Sequence, residues 1–357
     1  MPRVVLAMSG GVDSSVSAYL LQKQGYDVIG LFMRTGVHSD AEDHRADHKK
    51  GCCSAVDAGD ARRIADQMDI PFYALDFEQD FGRIIDYFAD EYLKGRTPNP
   101  CVVCNSWLKF GRLFTYAQQL EADFIATGHY ARIGRADGEA QLHRGIDADK
   151  DQSYVLFGIR QEIVSRLLFP VGDLTKGEVR AIARDLGLCV ADKPDSVEIC
   201  FVPGNDHSAV IRARRPEAVT AGKFVDSAGH VLGEHDGIDR FTVGQRKGLG
   251  IAAGSRRYVL QIVPGSNDVV LGDREDLLAS GLIALRINWL VPKPTDSLRC
   301  LAKIRYRHTP SPATVHVTGE GATVRFDEPQ SAITPGQAVV FYDGSRVLGG
   351  GWIESAT

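Results

Sequence analysis

Residues 4–15 read VVLAMSGGVDSS, and this stretch decides the fold of the first part of the chain. Its apolar half predicts a buried β-strand, and its polar half predicts a turn that enters a helix near Ser14. Glycine lets the backbone approach a bulky anion and direct several N–H groups at it, and the N-terminus of the helix adds positive partial charge. The stretch therefore predicts a loop that binds phosphate groups.

The glycine turn lacks the pattern Gly-x-x-x-x-Gly-Lys-Ser/Thr of a mononucleotide P-loop, and it has no lysine to reach a γ-phosphate. It resembles the pyrophosphate loop (PP-loop) of ATP pyrophosphatases, the enzymes that cut ATP between the α- and β-phosphates. The alternative is a turn that only joins strand to helix. Two glycines, the hydroxyls on both sides and Asp13 together favour the PP-loop.

The composition is that of a globular protein with two or three domains, since 357 residues exceed one ordinary domain. No apolar run reaches the ~18 residues of a membrane span, and the strand predicted directly after Met1 leaves no room for a signal peptide. Seven cysteines, an odd number, favour a reducing cytoplasm over a disulfide framework. The net charge of −5 disfavours broad electrostatic binding to nucleic acid but allows local basic patches, as at 212–215 and 303–308.

Alternating strand and helix patterns over residues 1–204 predict an α/β domain with a parallel sheet covered on both faces. The predicted strands are 4–8, 27–33, 72–77 and 123–127. Apolar residues at helical spacing predict helices over 61–68 and 179–186, the second preceded by a capping box at 175–178. In such a fold ligands bind at the carboxyl ends of the strands, where the glycine turn lies.

The composition and the predicted secondary structure change after residue 204. Glycine-rich segments with turn signals, such as 226–229, are followed from about residue 282 by short strand patterns between Pro, Gly and Asp turns. These strands are predicted at 301–307, 314–318, 322–326 and 338–342, and they indicate a small β-barrel. We therefore expect three domains: an α/β catalytic domain at 1–204, a small middle domain at 205–278 and a C-terminal β-barrel at 279–357.

Three cysteines occupy positions suited to thiol chemistry. Residues 97–105 read TPNPCVVCN, which places Cys101 and Cys104 on a loop stiffened by two prolines, before a helix predicted to start near Trp107. A helix N-terminus favours the reactive thiolate form. Cys200 follows residues 195–199, which read DSVEI. Of the remaining cysteines, Cys189 and Cys300 have apolar neighbours and are expected to be core thiols.

A second possible metal site lies in the polar segment 38–53. His44 and His48 have the i, i+4 spacing that a metal ion can use, and Cys52 and Cys53 follow them. A polar insertion after the second strand is the simpler interpretation of this segment.

Six motifs then occur in one order along the chain. They are the PP-loop, Asn-Pro-x-x-x-Cys-Asn at 99–105, Thr-Gly-His-Tyr at 127–130, Lys-Asp-Gln-Ser at 150–153, Asp-Ser-x-x-Ile-Cys-Phe at 195–201 and Phe-Thr-Val-Gly-Gln-Arg at 241–246. In these motifs the chain resembles the bacterial tRNA-specific 2-thiouridylase family over essentially its full length. The resemblance implies a HUP-like PP-loop domain, ATP and Mg²⁺ as cofactors, and tRNA as the substrate.

The resemblance also implies roles for individual residues. Cys104 matches the catalytic nucleophile of the family, and Cys200 matches its persulfide carrier. The positions that match ATP contacts are Ala7, Met8, Ser9, Gly10, Gly11, Val12, Asp13, Ser14, Met33 and Gly128. The positions that match contacts with the target base are Asn99, Pro100 and Cys101. The positions that match other tRNA contacts are His129, Lys150, Asp151, Gln152, Arg305, Tyr306 and Gln337.

The implied reaction is the replacement of the C2 oxygen of a wobble-position uridine by sulfur. Attack of this oxygen on the ATP α-phosphate makes an adenylate and releases pyrophosphate, whose charge the PP-loop and a divalent cation would hold. Sulfur carried as a persulfide on Cys200 then reaches C2, either directly or as sulfide that Cys104 releases. The family points to the tRNAs for lysine, glutamate and glutamine, and to a cysteine desulfurase or sulfur-relay protein as donor.

One departure from the family pattern leaves an alternative open. Many members carry an acidic residue where this chain has Cys101, and three thiols at Cys101, Cys104 and Cys200 could hold a 4Fe–4S cluster that delivers sulfide. A zinc site or an inert arrangement is a third possibility. Asp13 could bind the cation or only brace the loop, and the residues leave both roles open.

Two rival functions remain compatible with the PP-loop. One is a ligase that passes an amine to an adenylated small molecule, which would not need Cys104 or Cys200. The other is a nucleotide-sensing module of the same fold, which would bind ATP without releasing pyrophosphate in response to tRNA. Asp57 and Asp60 are expected to include a helix N-cap rather than a catalytic acid.

Overall fold

The structure is a computed structural model that describes residues 1–36, 55–136, 138–195, 199–251 and 256–357. The chain forms two compact units. The first comprises 1–84, 101–205 and 345–347, and the second comprises 85–100, 206–344 and 348–357. The histidine and cysteine pairs of segment 38–53 lie outside the described residues.

The first unit is built on a five-stranded parallel sheet. Its strand order is β3-β2-β1-β4-β7, with β1 in the centre. The strands are β1 (Arg3–Ala7), β2 (Asp27–Arg34), β3 (Phe72–Asp76), β4 (Phe124–Thr127) and β7 (Leu167–Leu168). The first four confirm the strands predicted from the sequence to within one residue at each end. The apolar runs of β1, β2 and β4 are largely buried because helices cover the sheet, whereas the edge strand β3 is partly exposed.

The first, second and fifth helices of the chain contact the strands of this sheet. The helix bounds are α1 (Val12–Lys23), α2 (Ala55–Gln67), α3 (Glu78–Leu93), α4 (Pro100–Val103), α5 (Leu113–Gln119), α6 (Gln161–Val164) and α7 (Lys176–Asp185). The chain passes from the first unit to the second within α3. The capping box predicted before α7 is present, since Thr175 and Glu178 bond each other's backbone N–H groups. Buried side chains of β1, α2 and α7 share one core, represented by Leu6, Ile64 and Val179.

Two features of this unit were not predicted. A β-hairpin of β5 (Ala131–Ala136) and β6 (Glu139–Arg144) follows β4. The Cys-x-x-Cys segment is helical rather than a loop, because α4 starts at Pro100 and continues as a π-helix over Cys104–Arg112. Proline at the first helical position needs no N–H partner, so the helix starts seven residues before Trp107.

The second unit contains a four-stranded sheet of order β10-β11-β8-β9. The strands are β8 (Gly222–Val225), β9 (Val231–His235), β10 (Tyr258–Val263) and β11 (Asp268–Gly272), and helix α8 (His207–Arg214) precedes them. The turn predicted at 226–229 joins β8 to β9, and Asp226 accepts hydrogen bonds from the Ala228 and His230 N–H groups. In the basic stretch 212–215, Arg212 is paired with the buried Asp239.

The C-terminal strands form a closed six-stranded barrel, as the sequence predicted. Its order is β12-β15-β14-β13-β16-β17, and pairing of β12 with β17 closes it. The strands are β12 (Leu278–Trp289), β13 (Ser297–Lys303), β14 (Ser311–Thr318), β15 (Gly321–Ser331), β16 (Ala338–Asp343) and β17 (Arg346–Ala356). The first and last strands were missed, and β13 ends at Lys303, so the basic residues 305–307 lie in a turn. Short 3₁₀-helices occur at Ser153–Leu156, Pro203–Asn205, Pro216–Ala218, Ile238–Arg240 and Glu275–Leu277.

No helix within the described ranges has the length and apolar character needed to cross a bilayer.

Candidate active site

The PP-loop has a shape that its own bonds maintain. Gly10 has φ +69°, and a Cβ atom there would lie 2.1 Å from the backbone oxygen of Asp57, so only glycine fits. Gly11 is the N-cap of α1, and its carbonyl accepts hydrogen bonds from the Ser14 hydroxyl at 3.1 Å and the Ser15 hydroxyl at 2.8 Å. The Ser9 N–H donates to the Ser14 hydroxyl at 3.2 Å. The two glycines and the hydroxyls thus build one rigid turn at the start of α1.

The predicted nucleotide-contacting residues gather at one edge of the sheet. Ala7 at the end of β1 pairs with Leu31 on one side and Thr127 on the other, so the carboxyl ends of β2 and β4 flank the loop. Gly128 follows β4 directly, and a Cβ atom there would lie 2.7 Å from the Ser14 nitrogen. Met33 lies near the end of β2 and is buried, as are Met8 and Val12, whereas Ser9 is exposed.

Asp13 is held by donors from distant parts of the chain. The Tyr130 hydroxyl donates to its Oδ1 at 2.7 Å, and the Lys176 ammonium donates to both carboxylate oxygens at 2.8 and 2.9 Å. Burial and the nearby Asp13 carboxylate raise the pKa of Tyr130, so its hydroxyl stays protonated and donates. Of the two roles left open for Asp13, the bracing role is therefore present in this structure.

Asp195 is surrounded by three basic side chains. Its carboxylate accepts from Lys150 Nζ at 2.7 Å, from Lys176 Nζ at 2.8 Å and from Arg180 at 3.0 Å. Partial burial opposes ionisation of Asp195, but hydrogen bonds from Lys150 and Lys176 outweigh it and lower the pKa of the carboxyl to about 2. We refer to Lys150, Lys176, Arg180 and Asp195 as the Asp195 cluster. Lys176 links this cluster to Asp13 of the PP-loop.

Lys193 holds the PP-loop from a second direction. Its ammonium donates to the Gly10 carbonyl at 2.8 Å, to Asp57 at 2.6 Å and to Asp60 at 2.7 Å. Burial opposes the charge of Lys193, but hydrogen bonds to the two carboxylates outweigh it and raise its pKa. The interpretation of Asp57 and Asp60 as N-caps is wrong, because α2 starts at Ala55 and both side chains point from its first turns to Lys193.

Sequence reasoning missed both lysines. Lys176 was visible only as the residue after the N-cap of α7, and Lys193 only as a surface-type cation between Asp192 and Pro194. They lie 163 and 183 residues from the PP-loop atoms that they bind. Each is at most about a quarter exposed and is paired with two carboxylates.

The three motif thiols lie in the first unit. Cys101 is exposed in α4, Cys104 is half-buried at the first position of the π-helix, and Cys200 is half-buried in a turn before Phe201. Phe201 packs edge-on against Phe81 at 5.7 Å between ring centroids. None of the five cysteines that the structure describes is in a disulfide bond. π-helical segments often mark functional sites.

The alternative of a 4Fe–4S cluster requires the three thiols to converge. In the part of the chain that the structure describes, no group of three or more His, Cys, Asp or Glu side chains is arranged to hold a metal ion. The choice between a cluster on Cys101, Cys104 and Cys200 and the persulfide route therefore stays a prediction. The Asp13 carboxylate accepts from Tyr130 and Lys176 here, and its role as a cation ligand likewise stays a prediction.

The remaining two described cysteines differ from each other. Cys300 is buried, as expected, and burial raises the pKa of its thiol to about 12. The expectation for Cys189 is wrong, because this residue is exposed. Leu188 and Val190 on either side take the inward positions, which turns the side chain between them outward.

Alkylation should separate these two thiols. At pH 8 we expect Cys189 to react with iodoacetamide at least about 1000-fold faster than Cys300, because burial leaves Cys300 with only about one part in ten thousand of thiolate. Peptide mapping by mass spectrometry during a time course measures both rates in one sample. Comparable rates in the folded protein would contradict the buried position of Cys300, and denaturation in urea provides the control in which the difference disappears.

The predicted tRNA-contacting residues of the first unit have internal partners. His129 is buried, and its Nδ1 lies 2.6 Å from the Thr127 hydroxyl. Burial, and to a lesser extent the charge of nearby Lys109, lowers the pKa of His129 well below the usual value. Asp151 accepts from Ser153 and forms an ion pair with Arg144. Gln152 exchanges hydrogen bonds with the Tyr130 backbone, and Lys150 belongs to the Asp195 cluster.

The predicted residues of the second unit lie on its loops. Arg305 donates to the Ser331 carbonyl at 3.1 Å, and Tyr306 beside it is exposed. Gln337 donates to the carbonyls of Thr97 and Pro98 at 3.0 and 3.2 Å, which fixes the chain before Asn99 and Pro100. Lys303 lies over the Tyr306 ring at 5.7 Å. The assignment of these residues to tRNA contacts remains a prediction.

Comparison with known proteins identifies the family. Models of the tRNA methyl transferase HUP domain, the tRNA methyl transferase PRC-barrel domain and the aminomethyltransferase beta-barrel domain match residues 2–204, 209–273 and 279–353. A tRNA-specific 2-thiouridylase MnmA of Rhodopirellula baltica is 52% identical, over 100% of this chain and 97% of that protein. Proteins of the same name from Geotalea uraniireducens and Geobacter metallireducens are each 51% identical, over 99% of this chain and 95% and 97% of theirs.

These matches run along all three parts of the chain, and they agree with the order of motifs from the PP-loop to Cys200 and beyond. The chain belongs to the tRNA-specific 2-thiouridylase family.

Proposed function

We propose that the protein is an ATP-dependent tRNA 2-thiouridylase, a sulfurtransferase that converts uridine at the wobble position to 2-thiouridine with release of AMP and pyrophosphate. One observation carries the proposal: a PP-loop braced from two sides occurs in the same compact unit as the motif thiols Cys104 and Cys200. Relatives about half identical over the full chain bear the name tRNA-specific 2-thiouridylase. Neither the ligase nor the nucleotide-sensing module accounts for both the PP-loop and the motif thiols.

The first step activates the carbonyl oxygen at C2, which is a poor leaving group. This oxygen attacks the α-phosphate of ATP, whose Mg²⁺ arrives as part of the nucleotide substrate and helps to neutralise the triphosphate. Pyrophosphate leaves from the turn at Gly10 and Gly11, where backbone N–H groups and the N-terminus of α1 stabilise the departing negative charge. We assign the adenine and ribose to the edge formed by Met33 and Gly128, beside the loop.

The second step transfers sulfur. Cys200 carries the outer sulfur as a persulfide, and the Cys104 thiolate attacks the inner sulfur. This forms a Cys104–Cys200 disulfide and releases sulfide, which displaces AMP from C2. If the persulfide attacks C2 first, Cys104 then breaks the same sulfur–sulfur bond. Both routes end in a disulfide that a reductant must open before the next turnover. Both also require direct contact between the sulfur atoms of Cys104 and Cys200.

The substrate and donor follow from the family. We propose the tRNAs for lysine, glutamate and glutamine as substrates, and a cysteine desulfurase or sulfur-relay protein as the source of persulfide. Residues 1–204 carry the chemistry, and 205–278 and 279–357 bind tRNA. The residues proposed for base contact are Asn99, Pro100 and Cys101. Those proposed for other tRNA contacts are His129, Lys150, Asp151, Gln152, Arg305, Tyr306 and Gln337. A cytoplasmic location suits all of these partners.

The proposal is tested with the full chain, unmodified tRNA, a sulfur donor and ATP labelled in the α- and γ-phosphates. We expect AMP and pyrophosphate to form only when tRNA is present, together with one 2-thiouridine per adenylate consumed. Formation of ADP would overturn the proposal. ATP binding without tRNA-dependent pyrophosphate release would favour the nucleotide-sensing module instead.

The persulfide route predicts that Cys101 is dispensable as a metal ligand. We expect Cys101→Ser, purified without oxygen, to keep thiolation within about threefold of wild type, since serine keeps the size and the hydrogen-bonding capacity with which Cys101 would contact the base. Iron content and thiolation are measured on the same preparations. A wild-type chain that holds iron, together with a Cys101→Ser variant that loses both iron and activity, would instead establish the cluster route.

A further inference from the structure

The sixth motif of the chain, at 241–246, opens a loop of the second unit that is fixed at both ends. Phe241 starts the loop and Leu249 ends it, and both side chains are buried. They share one core with side chains of the four-stranded sheet, such as Val259 of β10. Because this packing holds both ends, we refer to residues 241–249 as the anchored loop.

The side chain of Gln245 fixes the middle of the anchored loop. Its Oε1 accepts from the Thr242 N–H at 3.0 Å, and its Nε2 donates to the Lys247 carbonyl at 3.1 Å. The Gln245 backbone adds two bonds, because its N–H donates to the Thr242 carbonyl and its carbonyl accepts from the Val259 N–H, each at 2.9 Å. The amide is thus used within the loop, where it holds the backbone on either side of Arg246.

Three cations on or beside the anchored loop have no carboxylate partner. Arg246 and Lys247 are exposed within it, and Arg256 is exposed just before β10, the strand that bonds the loop. Within the described ranges, none of the three forms an ion pair with an acidic side chain. Residues 252–255, which lie outside those ranges, read AAGS and contain no acid. The loop therefore carries positive charge that its surroundings do not neutralise.

The basic stretch 212–215 in the same unit behaves differently, because each of its arginines has a carboxylate. These ion pairs are Arg212–Asp239, Arg214–Asp86 and Arg215–Asp86. Paired arginines are used by the fold, whereas exposed cations without a partner keep a positive potential at the surface. In a chain with a net charge of −5, this local excess favours an anionic partner.

Phosphate groups of an RNA backbone fit the anchored loop best. Lysine and arginine contact the phosphates of nucleic acids, and such contacts give affinity and position without reading the base sequence. Phe241, the ring in this loop, is buried, so the exposed part offers charge and not a surface on which a base stacks. The backbone is already fixed by Gln245, so binding requires little further ordering of the loop.

We propose that the anchored loop binds phosphate groups of the tRNA backbone through Arg246, Lys247 and Arg256. The inference rests on the proposed function, because it names a contact surface for the tRNA which that function modifies. Since phosphates are the same in every tRNA, the loop contributes equally to the binding of all substrate tRNAs.

The experiment measures binding of labelled, unmodified tRNA to the full chain by fluorescence anisotropy at several KCl concentrations between about 50 and 300 mM. The test variant carries Arg246→Gln and Lys247→Gln together. We expect it to bind at least about tenfold more weakly at the lowest salt concentration. The slope of log affinity against log salt concentration should fall by about 2, one for each lost phosphate contact. The tRNAs for lysine and for glutamate should lose affinity alike.

Two further variants serve as controls. Arg240→Gln removes the same charge directly before the anchored loop, from an arginine that pairs with Asp236. It should bind within about twofold of wild type, with an unchanged salt slope. Arg246→Lys with Lys247→Arg keeps both charges and should bind within about threefold of wild type. Thermal unfolding checks that each variant is folded. If the test variant is not, Arg256→Gln replaces it, and its salt slope should fall by about 1.

The inference is overturned, with the proposed function intact, if the affinity and salt slope of the test variant match those of Arg240→Gln. An unchanged slope in Arg256→Gln, when that variant is needed, has the same meaning. A loss confined to one tRNA would indicate reading of bases and would also overturn it. So would normal tRNA binding together with slower thiolation from a protein sulfur donor, which would assign the loop to that donor. A wild-type chain that does not bind unmodified tRNA would instead overturn the proposed function.

Discussion

The Cys200→Ser variant is expected to thiolate tRNA at least about 1000-fold more slowly than the wild-type chain, because a serine hydroxyl cannot carry a persulfide. Adenylation should survive, since the PP-loop is braced by Lys176 and Lys193 and none of their contacts involves Cys200. We therefore expect tRNA-dependent exchange of labelled pyrophosphate into ATP to stay within about threefold of wild type. Loss of thiolation with retention of exchange separates sulfur transfer from activation.

Cys104→Ser should show the same loss with a different intermediate. Without the attacking thiolate, the sulfur–sulfur bond on Cys200 is not broken, so the loaded variant should accumulate an additional sulfur on Cys200 that mass spectrometry detects before and after reduction. Cys189→Ser is the matched control, because Cys189 is an exposed thiol outside the motifs, and it should be fully active. Normal thiolation by either Cys104→Ser or Cys200→Ser would contradict the persulfide mechanism.

The second large effect is expected from Lys193→Met. This change leaves Asp57 and Asp60, both largely buried, without the ammonium that bonds them at 2.6 and 2.7 Å. Breaking such a buried pair by removing one partner costs about 3–5 kcal/mol of unfolding free energy. The Gly10 carbonyl also loses its donor, so we expect ATP affinity to fall at least about tenfold in whatever fraction stays folded.

Urea unfolding with and without ATP measures both effects. Arg63→Met is the matched control, since Arg63 pairs with Asp60 but has a side chain that is 68% exposed. We expect it to lose less than about 1 kcal/mol. Adding Asp57→Asn to Lys193→Met removes the buried charge that has lost its Lys193 partner and should restore part of the stability. A Lys193→Met chain as stable as Arg63→Met would show that Lys193 is not a structural anchor of the loop.

The sequence predicted the elements whose signals are local. Four strands of the parallel sheet and the Thr175 capping box follow from apolar spacing and cap residues within a few positions of each other. The first and last strands of the barrel, β12 and β17, were missed, and they pair with each other across 57 or more residues of sequence to close the barrel. The Cys-x-x-Cys segment was taken as a loop because its two prolines were weighed as breakers, although Pro100 starts a helix.

In the active site, the sequence predicts the PP-loop itself, but it does not predict the lysines that hold the loop in place. Residues 9–15 by themselves predict the glycine turn, since the bonds of the Ser14 and Ser15 hydroxyls to Gly11 join neighbouring residues. The motif thiols could likewise be read from the order of short patterns. Only the tertiary structure assigned Lys176 to Asp13 and Lys193 to the Gly10 carbonyl. A charged side chain carries no signal for its partner along the chain, and these partners meet because the parallel sheet brings segments more than 160 residues apart to one edge.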